Sequence, residues 1–487
     1  MSVQLMARWM NRILWAILLS VSSASLCAEG TDSMSVPSAS LWTEGTDSMS
    51  VPSASLWTEG TDSVPVPSAS LWTQATDSVS DSAPPRFIYS LGGGAGINHL
   101  MNIEMRGEKL VKRGWGSNYS VYFDWQANPR DSAFSPYDRF FGFPTLEVGL
   151  QLLDYSHTRL HTGDTPYMST LGLVWTAYVA FRRDIYRNRR WSFGYELENG
   201  FALSSRTYEP DNNVDNDMIG QHISMYFGFG LHAGYRISPE VEVSLGVEYK
   251  HVSNGATDRP NKGSNAFGLV VRTRCDVNRP SNDRGLTHEQ RRMRLRSFAK
   301  RPFDGEFYLD VNASVGFRTM YEEWLLHRDF LTEGEPGYLD GSLGLHTVWS
   351  AQLVPMFRYN RVHASGLGLE YSFAGYTGRS VMIEHQMELS REYSHSKHTL
   401  GIAAHHEVFY KQLSLAMSLG TYLFRQHGWV QGKYEPSIYE TVGIRYYPKF
   451  FRPFYLGYNV KANGGKAYAM ELKVGLHAGR WRLKKNR

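Results

Sequence analysis

The 487-residue chain contains two cysteines, Cys27 and Cys275, and no apolar run long enough for a membrane helix. Cys27 lies where a leader would be cut away, which leaves Cys275 without a partner and implies no disulfide framework. A spanning helix needs roughly 20 consecutive apolar residues, whereas the one sizeable run extends only from Ile13 to Val21. Charge of either sign is equally short of an excess: a net charge of +4 singles out no polyanionic partner, and nucleic acid is not expected. No H-E-x-x-H, P-loop or G-x-S-x-G pattern occurs, so no metal, nucleotide or other cofactor is expected.

What is present begins at the N-terminus. Arg8 and Arg12 precede the apolar run and Ser22-Ser23-Ala24-Ser25 follows it, the layout of a secretory leader cleaved between Ala24 and Ala28. Residues 1–28 are therefore read as a signal peptide. Residues 20–79 hold four copies of a 15-residue unit, such as Ser35 to Met49. Leu and Trp are its only large side chains, too few to bury a face on stacking, so 29–85 is read as a disordered Ser/Thr/Pro-rich tether.

From Arg86 onward apolar residues recur at every second position. Trp191, Phe193, Tyr195 and Leu197 alternate with Ser192, Gly194, Glu196 and Glu198. Ile223, Met225, Phe227, Phe229 and Leu231 repeat the pattern, as do Leu171 to Phe181, Leu367 to Phe373, Leu413 to Leu419 and Tyr468 to Ala478. Period two over such lengths means strands. Strands of about ten residues, with Gly, Ser, Glu, Lys and His on the second face and aromatics toward the ends, fit an all-β antiparallel transmembrane barrel better than a soluble sandwich. About sixteen strands are expected, in halves spanning 86–275 and 304–487. One closed barrel is favoured over an eight-stranded barrel with a further β-module, because closure leaves no edges. Between the halves, 276–303 carries Arg291, Arg292, Arg294, Arg296, Lys300 and Arg301 and is read as a solvated periplasmic linker. The run Leu245 to His251 resembles Leu456 to Ala462, which suggests related halves of which the second lacks the His and Ser.

Chemistry concentrates in His251-Val252-Ser253-Asn254-Gly255 and Pro260-Asn261-Lys262-Gly263. His251 and Ser253 continue the apolar face of Val241, Val243, Leu245, Val247 and Tyr249, which in a membrane barrel points at lipid. A hydroxyl becomes a useful nucleophile when a neighbouring imidazole takes its proton. Residues 254–263 read as a hairpin loop, and on the returning strand Asn265 shares the outward face. Asn265 is then placed to accept from Nδ1–H of His251, while Asn254 and the backbone N–H groups of Gly255 and Ala256 can meet an oxyanion. The other histidines offer less: His405 and His406 face opposite ways, and His395 and His398 fall in a polar loop.

With these residues in view, the stretch resembles the lipid A 3-O-deacylase (PagL-type) and acyloxyacyl hydrolase barrels of the outer membrane. His251, Ser253, Asn254, Pro260, Asn261 and Gly263 carry the resemblance. It implies Ser253 as nucleophile, His251 as base, Asn254 as oxyanion donor, and a site on the outside of the barrel that removes an ester-linked acyl chain from lipopolysaccharide in the outer membrane of a Gram-negative bacterium. Where the family has a Glu as third member, this chain has Asn265. The competing expectation is a barrel with no chemistry, serving as a channel or structural component.

Overall fold

The computed structural model describes residues 84–482 apart from 106–107, 132–133, 163–167, 281–282, 284, 300–302 and 433. The expected leader, and all but the last two positions of the expected tether, lie outside the described residues. The first eight long strands are β1 (Phe87–Leu100), β2 (Trp115–Ala127), β3 (Thr145–Tyr155), β4 (Gly172–Arg187), β5 (Trp191–Ser204), β6 (Ile223–Arg236), β7 (Val241–Ser253) and β8 (Ser264–Asp276). Each pairs antiparallel with its neighbours, and β1 pairs with β8 to close the cylinder. Eight more follow: β9 (Glu306–Arg318), β10 (His346–Arg358), β11 (His363–Ala374), β12 (His398–Tyr410), β13 (Leu413–Phe424), β14 (Ile438–Tyr446), β15 (Phe454–Asn463) and β16 (Lys466–Arg482). These close on themselves through β9 and β16.

The strands are thus transmembrane β-barrel strands in the expected number, but the preference for one large barrel is corrected: they form two closed cylinders of eight. The physical reason lies inside. A lumen of eight strands is just wide enough for side chains to fill, and here large charged groups fill it. In the first barrel Arg272 pairs with Glu147 at 2.5 Å and Glu196 at 2.6 Å, and Arg182 reaches the same two carboxylates at 3.2 and 3.1 Å. In the second, Arg445 pairs with Asp310 at 2.9 Å and Glu407 at 3.2 Å, and Lys461 pairs with Glu370. Outward positions are apolar: on β7, Leu245 and Val247 remain more than half exposed between inward Glu242 and Glu248. No described helix is long and apolar enough to cross a membrane.

The segment joining the barrels, read above as a solvated linker, holds a helix, α2 (His288–Ala299). Its Arg291 is buried, donating to the carbonyl of Gly142 and facing Asp184 at 3.5 Å, so that cation is spent on packing the near end of the first barrel. Leu245–His251 and Leu456–Ala462, similar in sequence, fall on β7 and β15, the seventh strand of each barrel.

The barrels touch at both ends. At the end where the chain enters, α1 (Pro136–Phe140) of the first barrel offers Asp138 to the Tyr410 hydroxyl at 2.6 Å and to Lys411 at 2.9 Å. At the opposite end, the loops 205–222 and 254–263 of the first barrel meet the segment after β9, where Arg328 pairs with Asp217. Between the two ends, the Tyr458 hydroxyl donates to Asn199, a polar residue on the outward face of β5 between Leu197 and Phe201.

Candidate active site

The hairpin β7–β8 carries the candidate residues. Its register sets His251 directly across from Asn265, and on the other side Ser253 faces Met225 and His251 faces Phe227 of β6. Cross-strand partners project to the same side of a sheet, so His251, Ser253 and Asn265 all leave the wall outward, as the alternation predicts. The upper part of that wall is covered, unlike the open band at Leu245 and Val247: Ser253 is 9% exposed and Asn254 2%.

His251 Nδ1 lies 2.8 Å from Asn265 Oδ1. The same oxygen accepts from the Tyr249 hydroxyl at 2.5 Å, while Nδ2 of Asn265 turns to the carbonyl of Gly263 at 3.4 Å. An amide oxygen only accepts, so the imidazole must carry its proton on Nδ1, which leaves Nε2 with a lone pair. That is the tautomer a general base needs. Gly263, at φ +71°, lies so close that a Cβ there would sit 2.7 Å from His251 Cε1. Glycine is required at this position by both the left-handed backbone and the ring.

Ser253 belongs to a second cluster. Its hydroxyl donates to Asn261 Oδ1 at 3.0 Å, and the same oxygen accepts from the Asn254 N–H at 3.1 Å. The Gly255 N–H points at Ser253 Oγ, 3.3 Å away. Among the described residues no hydrogen bond joins Ser253 to His251, although the two share a face. A reaction between them would need Oγ to leave Asn261 for Nε2, and such contacts often tighten only with substrate bound.

Other candidate roles sort on geometry. Asn254 uses both ends of its amide within the loop, donating to the Asp258 carbonyl at 3.2 Å and accepting from the Ala256 N–H at 3.0 Å. The Ala256 N–H is therefore committed, and Gly255 offers the backbone donor aimed at Ser253. Asn261 braces Ser253 and the Asn254 N–H. Burial raises the carboxyl pKa of Asp258 against the pull of Arg259, and burial with Arg318 nearby brings the Arg259 guanidinium down to about 10. Arg259 stays charged at neutral pH.

Sequence reasoning passed over three participants. Tyr249 counts as one more apolar residue of the outward stripe, yet its place two residues before His251 was signal enough that its hydroxyl reaches the same cluster. Asp217 and Met218, from the 205–222 loop, receive the N–H groups of Lys262 and Gly263, each at 3.0 Å. Nothing local in the sequence marks them. Outside this site, His405 and His406 take opposite faces as expected; His398 begins β12, and His395 lies 3.1 Å from Glu384.

Comparison with known proteins divides the chain at the same boundary. The family model described as lipid A 3-O-deacylase (PagL) matches residues 143–274, and that described as acyloxyacyl hydrolase, C-terminal domain, matches 307–482. The first match contains His251, Ser253 and Asn265, and the second nearly fills the second barrel. Among solved structures, Neisserial surface protein A is similar at 9% identity, over 40% of this chain and 98% of that one, with a TM-score of 0.24. The outer membrane enzyme PagL is similar at 16% identity, over 38% and 97%, with a TM-score of 0.23. An outer membrane channel from Pseudomonas putida F1 is similar at 10% identity, over 81% and 97%, with a TM-score of 0.18. No curated protein matches the chain.

Proposed function

From a chain whose residues 143–274 match the lipid A 3-O-deacylase (PagL) model and whose residues 307–482 match the acyloxyacyl hydrolase C-terminal model, we propose that this protein is a serine esterase acting on lipid A in the outer leaflet. The single observation that carries the reading is the hairpin geometry: a nucleophile and an oriented base on the outward wall, at the long-loop end. In outer-membrane barrels that end faces the exterior, where lipopolysaccharide lies.

The mechanism follows from the groups present. Ser253 Oγ turns to His251 Nε2, gives up its proton and bonds to the acyl carbonyl carbon. The oxygen that becomes negative is met by the Gly255 N–H, with the Asn254 side chain available if it leaves Asp258. Collapse breaks the ester C–O bond, and the imidazolium protonates the departing sugar alcohol. Water, deprotonated by His251, then cleaves the acyl-serine and frees a fatty acid. Asn265 holds the imidazole tautomer but brings no charge to the imidazolium, so turnover is slower than a carboxylate would allow. No metal or cofactor is required by these steps.

The test is mass spectrometry of lipid A from a Gram-negative host expressing the chain. Loss of one acyl chain with the wild type, and the parent mass with Ser253→Ala in a barrel that still assembles, is the expected result. Unchanged lipid A in the presence of assembled wild-type protein would leave the barrel without this chemistry.

A further inference from the structure

The strand of the second barrel that corresponds to β7 lacks the His and Ser: the residues of β15 and its turn that match the site are Ala462 to Gly464. Its nearest approach to the chemistry is at the loop 254–263. Gly255 and Ala256 adopt left-handed backbone in succession, with φ of +66° and +73°. For alanine that conformation is costly and persists only where surrounding contacts over-determine it. Both backbone groups of Ala256 are indeed held. Its N–H is taken by Asn254 Oδ1, within the loop. Its carbonyl is taken by the second barrel: Thr319 donates its N–H at 2.8 Å and its hydroxyl at 3.2 Å. Around this contact the Arg259 guanidinium sits 5.1 Å over the Tyr321 ring, Met470 of β16 abuts Gly255, and Arg328 pairs with Asp217, which also holds Lys262 at 3.1 Å.

We propose that Thr319 is a positioning residue, through which the second barrel fixes Gly255-Ala256 so that the Gly255 N–H stays aimed at Ser253. The inference rests on the esterase reading above and assigns the second barrel a part in it: a clamp on the oxyanion side of the site. The clamp acts on the transition state, because the Gly255 N–H matters most once the carbonyl oxygen carries charge. Displacing such a donor by about 1 Å costs up to roughly 100-fold in rate.

The experiment uses the full chain in detergent with lipid A as substrate. Thr319→Pro removes both donors to Ala256, Thr319→Val removes only the hydroxyl, and Thr319→Ser keeps both. Tyr410→Phe loosens the opposite end of the barrel junction and serves as the control. Heat-modified gel mobility reports whether each barrel has assembled. The expected result is a kcat lower by about 10- to 100-fold for Thr319→Pro with KM within about twofold, a smaller loss for Thr319→Val, and wild-type rates for Thr319→Ser and Tyr410→Phe. Full activity in assembled Thr319→Pro, or equal losses in Thr319→Pro and Tyr410→Phe, would overturn the clamp while leaving the Ser253 chemistry intact. Undiminished activity in Ser253→Ala would instead bring down the esterase reading, and the clamp with it.

Discussion

Asn265 Oδ1 stands 2.8 Å from Nδ1 of His251, across one rung of the β7–β8 ladder. An amide in that place fixes the ring and its tautomer, but it leaves the protonated imidazole without a counter-charge. Replacing it by a carboxylate supplies the charge at the cost of one methylene. Asn265→Glu is expected to raise kcat by roughly tenfold or more, and Asn265→Ala to lower it by about 100-fold. Initial rates on lipid A decide the matter. A slower Asn265→Glu enzyme would mean that the amide is the better partner here and that charge on the third residue is not limiting.

Gly263 offers a steric test of the same ring. A methyl group at this residue would sit 2.7 Å from His251 Cε1 on backbone at φ +71°. Gly263→Ala must therefore move the imidazole or the loop, and misplaced catalytic groups lose rate steeply. Activity is expected to fall by at least about tenfold with the barrel assembled and heat-modifiable as before. If Gly263→Ala retains full activity, His251 is not held where the reaction needs it.

How much of this was legible in the sequence follows from what periodicity encodes. Alternation at Leu245, Val247 and Tyr249 told which side His251 and Ser253 take, and the loop and Asn265 followed from turn residues and the returning strand. The closing partners of β1 and β9 were not legible, because one cylinder of sixteen strands and two of eight carry the same alternation. A cue existed in the bulk of the inward residues, since Arg182, Arg272, Glu147 and Tyr122 together suit a narrow lumen and not a wide channel. Thr319 was beyond reach: its contact with Ala256 joins loops of different barrels, and no pattern of spacing records such a meeting. The Ser253–Asn261 bond was equally hidden, for alternation assigns a face and not a rotamer.

The filled lumens bear on conduction. Arg272 plugs the first barrel between Glu147 and Glu196 while its guanidinium lies 4.1 Å over the Tyr122 ring, and Arg445 holds Asp310 and Glu407 in the second. Purified protein in planar bilayers is expected to show no stepwise ion conductance. Arg272→Met would leave Arg182 as the one arginine balancing Glu147 and Glu196, a loss of about 3–5 kcal/mol, seen as a lower temperature of heat modification. Porin-like conductance from the wild type would favour the channel alternative over an enzyme.

Asn199 is the last point of leverage, because it is polar on an otherwise apolar outward face and meets the Tyr458 hydroxyl of the other barrel. In lipid neither group has water to fall back on, so each depends on its partner more than it would at a wet surface. Measured side-chain hydrogen bonds in membrane proteins nevertheless contribute only about 0.6 kcal/mol on average and up to about 1.7. A double-mutant cycle of Asn199→Leu and Tyr458→Phe is therefore expected to give a favourable coupling of about 0.5–1.5 kcal/mol in denaturant titrations of the folded protein in detergent. Each single variant should lose more than the double, since each leaves one unpaired polar group at the junction. Strict additivity would mean that the barrels do not use this bond to set their mutual register, and that the contacts at Asp138 and Ala256 suffice to dock them.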